Sequence, residues 1–312
     1  MMKNKCLIVG GNGFIGKNLV SKMARMPFNT VVFDASIPDV GLEPVRYVKG
    51  SINETELLIN EAIDTHTIVW LVHTSVPATS MYDVESDLTS NVSPLIRFLL
   101  KLPKDAERKF IYLSSGGTVY GDIDNGILAD EQASKDPISS YGLTKLVAEE
   151  YITFLLKRSS ISTFILRPSN VYGRYQNLKK PQGIIGHVFK SILVGNPILL
   201  YGDGAIIRDY IHVGDLIEAI VLCLHSRLRS SHPIIFNIGS GQGTSINEIV
   251  KLASEISDSP ILIDRMPERS FDCKFNVLSI EKAKTELGWN PKIELRQGLK
   301  DVWSWIKSEV KE

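Results

Sequence analysis

Cys6-Leu7-Ile8-Val9 runs into Gly10-Gly11-Asn12-Gly13-Phe14-Ile15-Gly16 and then into an amphipathic stretch over Lys17–Met26. A continuous apolar run of this kind predicts a strand buried on both faces. A glycine-rich turn between such a strand and a helix makes a tight bend, lets a ligand approach the backbone closely, and leaves N–H groups free at the helix start. The helix dipole adds about half a positive charge at the same point. Gly10, Gly13 and Gly16 therefore predict a pyrophosphate seat, with Phe14 and Ile15 in the same turn. A second strand-like run ends at Asp34, 18 residues past Gly16. A carboxylate there meets ribose hydroxyls and repels a 2′-phosphate, so the expected cofactor is NAD rather than NADP. Ser51 and Ile52, after the third run, would border the adenine.

Further short β-rich runs lie at Thr30–Phe33, Arg46–Val48, Ile68–Val72, Phe110–Leu113 and Thr163–Leu166, separated by amphipathic stretches at Glu54–Ala62, Val84–Leu100 and Tyr141–Leu156. Such alternation predicts an α/β chain, a Rossmann-type doubly wound parallel sheet with helices on both faces. From about Gly173, Pro, Gly and Asn interrupt the pattern more often. Helical periodicity returns at Ile184–Leu193, Asp215–Leu224, Ile246–Ile256 and Leu299–Val310. The expected organisation is an NAD-binding Rossmann domain over 1–172, returning for part of 205–240, and a smaller C-terminal α/β substrate-binding lobe over 173–312.

The 312 residues carry 35 Lys plus Arg against 35 Asp plus Glu, a net charge of zero. Phosphate backbones attract a basic surplus, so no nucleic acid partner is expected. No run of about 18 apolar residues occurs, and the N-terminus lacks a signal-peptide core. The expectation is a cytoplasmic protein with no membrane partner. Cys6, Cys223 and Cys273 lie far apart without metal-type spacing, which predicts reduced thiols and no metal.

Tyr141-Gly142-Leu143-Thr144-Lys145 opens a helix-like stretch. A spacing of four places Tyr141 and Lys145 on one face. An ammonium beside a phenol favours the phenolate and is expected to lower its pKa toward a range useful for proton transfer. Trp303 and Trp305 on the last helix read as packing residues.

With these motifs the chain resembles the extended short-chain dehydrogenases/reductases, and within them the nucleotide-sugar epimerases and dehydratases of the UDP-glucose 4-epimerase type. The likeness rests on Gly10–Gly16, Asp34, Ser114–Gly121, Tyr141 with Lys145, Leu166–Asn170, Arg208–Val213, Phe236–Gly241 and Leu287–Pro291. It implies an enzyme holding NAD on the Rossmann half and a nucleoside-diphosphate sugar on the C-terminal lobe. Leu71 and Pro168 would lie beside the cofactor, with Tyr141 and Lys145 touching it too. Ser75, Asn170, Arg208 and Arg269 would contact the sugar nucleotide, the arginines suiting a diphosphate by bidentate pairing. It also implies a homodimer formed through Val84–Leu100 and Tyr141–Leu156.

The family places a catalytic Ser or Thr where this chain has Gly116, so Ser115 or Thr118 is expected to supply the missing hydroxyl. Dehydratases carry an Asp-Glu pair where this chain has Gly117-Thr118, and decarboxylases a Glu at the place of Thr118; both reactions are disfavoured. Trp70-Leu71-Val72-His73-Thr74-Ser75 is expected along the nicotinamide side, with His73 in packing and His212 structural. What remains is NAD-dependent 4-epimerisation of a nucleoside-diphosphate hexose through a transient 4-keto sugar. The alternative is NAD(P)H-dependent reduction of a dTDP- or UDP-4-keto-6-deoxyhexose in surface-polysaccharide precursor synthesis. A non-catalytic dinucleotide-sensing regulator is a third reading, against which the retained Tyr–Lys pair argues.

Overall fold

The structure is a computed structural model that describes residues 4–124, 126–179, 183–268 and 273–309. The chain begins with β1 (Asn4–Val9), α1 (Phe14–Met23), β2 (Phe28–Asp34), β3 (Arg46–Lys49), α2 (Thr55–Ala62), β4 (Thr67–Trp70), α3 (Pro77–Ser80), α4 (Val84–Lys101) and β5 (Arg108–Leu113). It continues through α5 (Gly116–Val119), α6 (Ser140–Leu156), β6 (Ile161–Pro168), β7 (Asn170–Tyr172), α7 (Ile184–Val194), β8 (Ile198–Tyr201), β9 (Ile207–His212) and α8 (Val213–His225). The last elements are β10 (Ile234–Ile238), β11 (Gly243–Ser245), α9 (Ile246–Ser257), β12 (Ile263–Met266), β13 (Phe275–Asn276), α10 (Glu281–Leu287) and α11 (Leu295–Glu309).

The main sheet has seven strands in the order β10-β6-β5-β4-β1-β2-β3. Its pairings from β6 across to β3 are all parallel. The strand order reverses at β1, the doubly wound arrangement in which ligands bind at the carboxyl ends of the strands. The apolar runs of the sequence become these strands because both faces are covered. Leu7, Val9, Phe33, Ile68 and Phe110 pack with Leu58 of α2, Leu95 and Phe98 of α4 and Ile152 of α6. α4 begins at Asp83, whose side chain accepts from Ser86 N and caps the helix start.

The chain divides into two compact units. The first holds the residues up to Ser115 with Ser140–Arg167 and Ile217–Phe236; the second holds Gly116–Ser139, Pro168–Leu216 and the residues from Asn237 onward. The segment Gly116–Ser139 thus falls in the second unit, where its Ala129 N donates to Val277 O and Ile123 N to Phe275 O.

The second unit is built around β9, which pairs with β7, β11 and β13. α7, α9 and α11 supply its core through Phe189, Ile249, Leu299 and Trp305, and Trp303 stacks on Phe189 at 5.4 Å. Both tryptophans are packing residues. Asp209 is fully buried and accepts from Ser169 Oγ and from the N–H and hydroxyl of Ser240. The Trp289 indole donates to Asp215 O at 3.0 Å. His212 Nδ1 accepts from Gly214 N, and its ring meets Tyr172 edge-on.

Two expectations need correction. Trp70 does not line a cofactor face: it is 1% exposed, ends β4, and tilts against Phe98 at 5.2 Å. The last helix starts at Leu295 rather than Leu299, and Val310 lies outside the described residues.

Candidate active site

The glycine turn is built so that side chains cannot enter it. Gly10 adopts φ +88°, and a Cβ on Gly16 would lie 2.4 Å from Gly10 O and 2.6 Å from the Gly11 backbone. Both positions therefore require glycine. α1 starts at Gly13 with no side-chain cap, so its first N–H groups have no side chain competing for them. Phe14 and Ile15 form the first turn of α1, half-buried. Asp34 closes β2 beside the turn, its Oδ2 accepting from Asn12 N at 2.9 Å and its Oδ1 from Ser36 N at 3.0 Å. An open helix terminus, a cradle that excludes Cβ atoms and a carboxylate at the second strand end fit a dinucleotide.

Further along the same sheet edge, Leu71 N donates to Val9 O, and Pro168 ends β6. Ser51 opens the turn into α2, with Ser51 N donating to Glu54 Oε2 at 2.6 Å, and Ile52 packs on the core.

Tyr141 sits at the start of α6, where its N–H donates to Ser80 Oγ at 3.0 Å. Its phenol hydrogen-bonds Ser115, the residue two beyond the end of β5. Of the two hydroxyls expected to replace the one missing at Gly116, Ser115 is on Tyr141, while Thr118 lies on α5 in the second unit. Lys145 is one turn on, donating to Leu113 O at 2.7 Å, with Nζ 5.8 Å from the Tyr141 ring centre and 5.1 Å from that of Tyr112.

The protonation balance differs from the expected one. Burial pushes the Tyr141 phenol up to about 12, against the Ser115 hydrogen bond, which lowers it, and with the Asp87 anion, which raises it. Burial likewise pulls the Lys145 ammonium down to about 7, opposed by Glu149 and Asp87. At the phenol, desolvation outweighs the Ser115 hydrogen bond.

Two carboxylates stand behind the pair, and sequence reading missed both. Glu149, one turn past Lys145, is matched by Arg167, with Nη2 to Oε2 at 2.5 Å and both side chains buried, and by the hydroxyl of Ser114. Asp87 on α4 accepts from Ser140 Oγ at 2.7 Å, Thr144 Oγ1 at 2.9 Å, Asn91 Nδ2 at 3.1 Å and Ser75 Oγ. Ser75, which the resemblance places on the substrate, donates its hydroxyl to Asp87 here. His73 packs edge-on against Tyr141 with ring centres 4.5 Å apart, its Nε2 3.6 Å from Asp87. Tyr141, Lys145 and Glu149 repeat at one-turn spacing, the one signal that pointed to Glu149; Asp87 had none.

In the second unit, Asn170 on β7 donates through Nδ2 to Asp209 O at 3.0 Å, and Arg208 on β9 donates to Ile207 O at 2.9 Å. Arg269 lies outside the described residues.

A doubly wound sheet with a glycine cradle after its first strand and a buried tyrosine one turn before a lysine on α6 is the pattern of the short-chain-type dehydrogenases/reductases. The profile of the NAD dependent epimerase/dehydratase family matches residues 6–239, and the chain belongs to that family; its cofactor is NAD. It is 32% identical over 308 residues, 95% of this chain and 96% of the relative, to the dTDP-4-dehydro-6-deoxyglucose reductase of Escherichia coli. It is 28% identical over 327 residues, 98% of each chain, to the UDP-glucose 4-epimerase of Lactobacillus helveticus. The solved UDP-glucose 4-epimerase of Thermotoga maritima with UDP-glucose superimposes with a TM-score of 0.88 at 28% identity, covering 98% of this chain and 99% of that one. Among the described residues no helix is long and apolar enough to cross a membrane.

Proposed function

We propose that this enzyme moves a hydride and a proton at C4 of a nucleoside-diphosphate hexose, interconverting 4-epimers of the UDP-glucose/UDP-galactose type through a transient 4-keto sugar. The observation that carries this reading is Tyr141: a buried phenol, hydrogen-bonded by Ser115 and seated one turn before Lys145. In the loaded site Tyr141 first releases its phenol proton to solvent; as phenolate it takes the proton from O4 when C4 is oxidised and returns it to the same oxygen when C4 is reduced. NAD, held by Gly10, Gly13, Gly16 and Asp34, would supply the hydride chemistry at C4. Ser115 donates to the phenolate before it takes the O4 proton, and the Lys145 ammonium lowers the cost of that charge. Asp34, with Gly10, Gly13 and Gly16, is assigned to the dinucleotide. Asn170, Arg208 and Arg269 are assigned to the sugar nucleotide, where guanidinium pairs with diphosphate.

A second reading, reduction of a dTDP- or UDP-4-keto-6-deoxyhexose, is favoured by the likeness to the Escherichia coli reductase. One experiment separates the two. Epimerisation gives UDP-galactose from UDP-glucose with no cofactor added to the purified, NAD-loaded protein. Reduction consumes NADH in step with a 4-keto sugar. Neither product from a panel of nucleotide sugars would defeat both readings.

The proposed homodimer draws on α4 and α6, which pack together in the first unit and expose Leu100, Leu143, Tyr151 and Phe154. Light scattering of the full chain tests it, since two subunits double the mass.

A further inference from the structure

Asp87 differs in kind from the other carboxylate near the catalytic pair. Glu149 is neutralised by Arg167. Among the described residues Asp87 makes no ion pair with Lys or Arg; it accepts from the uncharged Ser75, Ser140, Thr144 and Asn91, and the His73 ring stands 3.6 Å away. Two of these donors, Ser140 and Thr144, flank Tyr141 on α6, and Ser75 belongs to the loop that carries His73. One carboxylate thus ties α4 to both segments touching the acid–base phenol.

We infer that Asp87 is a positioning residue of the acid–base machinery: its buried carboxylate, matched by neutral donors, seats the start of α6 and sets a fixed negative charge beside the Tyr141–Lys145 pair. A buried charge without a cation persists only where hydrogen bonds replace its hydration, and four donors do so here. His73 first, and then the hydroxyls of Ser75, Ser140 and Thr144, hold Asp87 well below the usual carboxylate range, although burial alone would raise it. The other groups facing the pair leave this charge uncompensated. His73 is kept neutral by burial, with its pKa pulled to about 4. Glu149, paired with Arg167, still raises the Lys145 pKa ahead of Asp87 but is not among the groups acting on Tyr141; Tyr112 is a buried phenol with its pKa raised, and α3 carries no charged residue. A nearby anion disfavours a phenolate and favours an ammonium. Asp87 therefore keeps the proton on Tyr141 and the charge on Lys145 until substrate and cofactor arrive.

The inference rests on the proposed acid–base role of Tyr141, so its test reads the phenol directly. The full-length protein is titrated by near-ultraviolet phenolate absorbance, and the Tyr141→Phe trace is subtracted to isolate Tyr141. In Asp87→Asn the Tyr141 midpoint falls by about one pH unit, while charge-keeping Asp87→Glu holds it. Both limbs of the kcat/KM pH profile move to lower pH in the neutral variant. Asp87→Ser replaces Asp87→Asn if melting curves show that the latter is unfolded. If neither neutral variant folds, Asp87→Glu decides: a held midpoint supports the charge role and a fall overturns it. An unchanged midpoint in a folded neutral variant, with activity merely reduced, leaves Asp87 as scaffold alone and overturns the inference. Absence of turnover on any nucleotide sugar would defeat the proposed function but leave the titration readable.

Discussion

The hydroxyl of Ser115 hydrogen-bonds the phenol of Tyr141 from one residue before Gly116, the position at which the family carries its own hydroxyl. Because this bond lowers the Tyr141 pKa, Ser115→Ala should raise it. The acid limb of the kcat/KM profile should move to higher pH. Loss of a hydrogen bond to a developing charge costs about 1.5–3 kcal/mol, so activity should fall roughly tenfold to a hundredfold. Thr118→Ala should leave the limb in place. Steady-state kinetics across pH on both variants checks the contrast.

Lys145 couples protonation to stability. Burial pulls its pKa from 10.5 in the unfolded chain to about 7 in the fold. Between those values the unfolded chain binds a proton that the folded chain lacks, so stability rises with pH across the window. Below it the buried charge opposes folding. Lys145→Met lacks this dependence, so wild type should gain melting temperature relative to the variant from about pH 7 to about pH 10. Parallel melting curves should show the two diverging in that direction.

Gly16→Ala should abolish the cofactor seat. Its Cβ would stand 2.4 Å from Gly10 O, a backbone atom that cannot swing aside. Overpacking of this kind costs about 1–3 kcal/mol, and the displaced turn no longer presents its N–H groups to a pyrophosphate. NAD affinity, measured by calorimetry, should fall at least tenfold.

Arg167→Met should be among the most destabilising single changes. It leaves Glu149 buried with the Ser114 hydroxyl and no cation. Breaking a buried pair from one side costs about 3–5 kcal/mol. Urea melts should show that loss, and the double variant with Glu149→Gln should recover most of it.

Much of this was legible along the chain. Strands β1, β2 and β5 announced themselves because a sheet covered on both faces needs unbroken apolar runs. The glycine turn and the Tyr141–Lys145 pair are local: their geometry depends on a few consecutive residues. The residues that tune the pair are not local. Asp87 lies 54 positions before Tyr141 and reaches it through Ser140, Thr144 and His73, a grouping that exists only once α4 packs against α6.

Local backbone chemistry and hydrophobic periodicity, both written in neighbouring residues, were enough for the strand–turn–helix unit, the sheet class and the Tyr141–Lys145 pair proposed to handle the proton. Packing decided the rest. It set Ser115 on the Tyr141 phenol, drew Trp70 into the core, placed Gly116–Ser139 in the second unit, and desolvated the phenol. Burial and charge at a site are sums over contacts distant in sequence, and no short stretch of chain contains them.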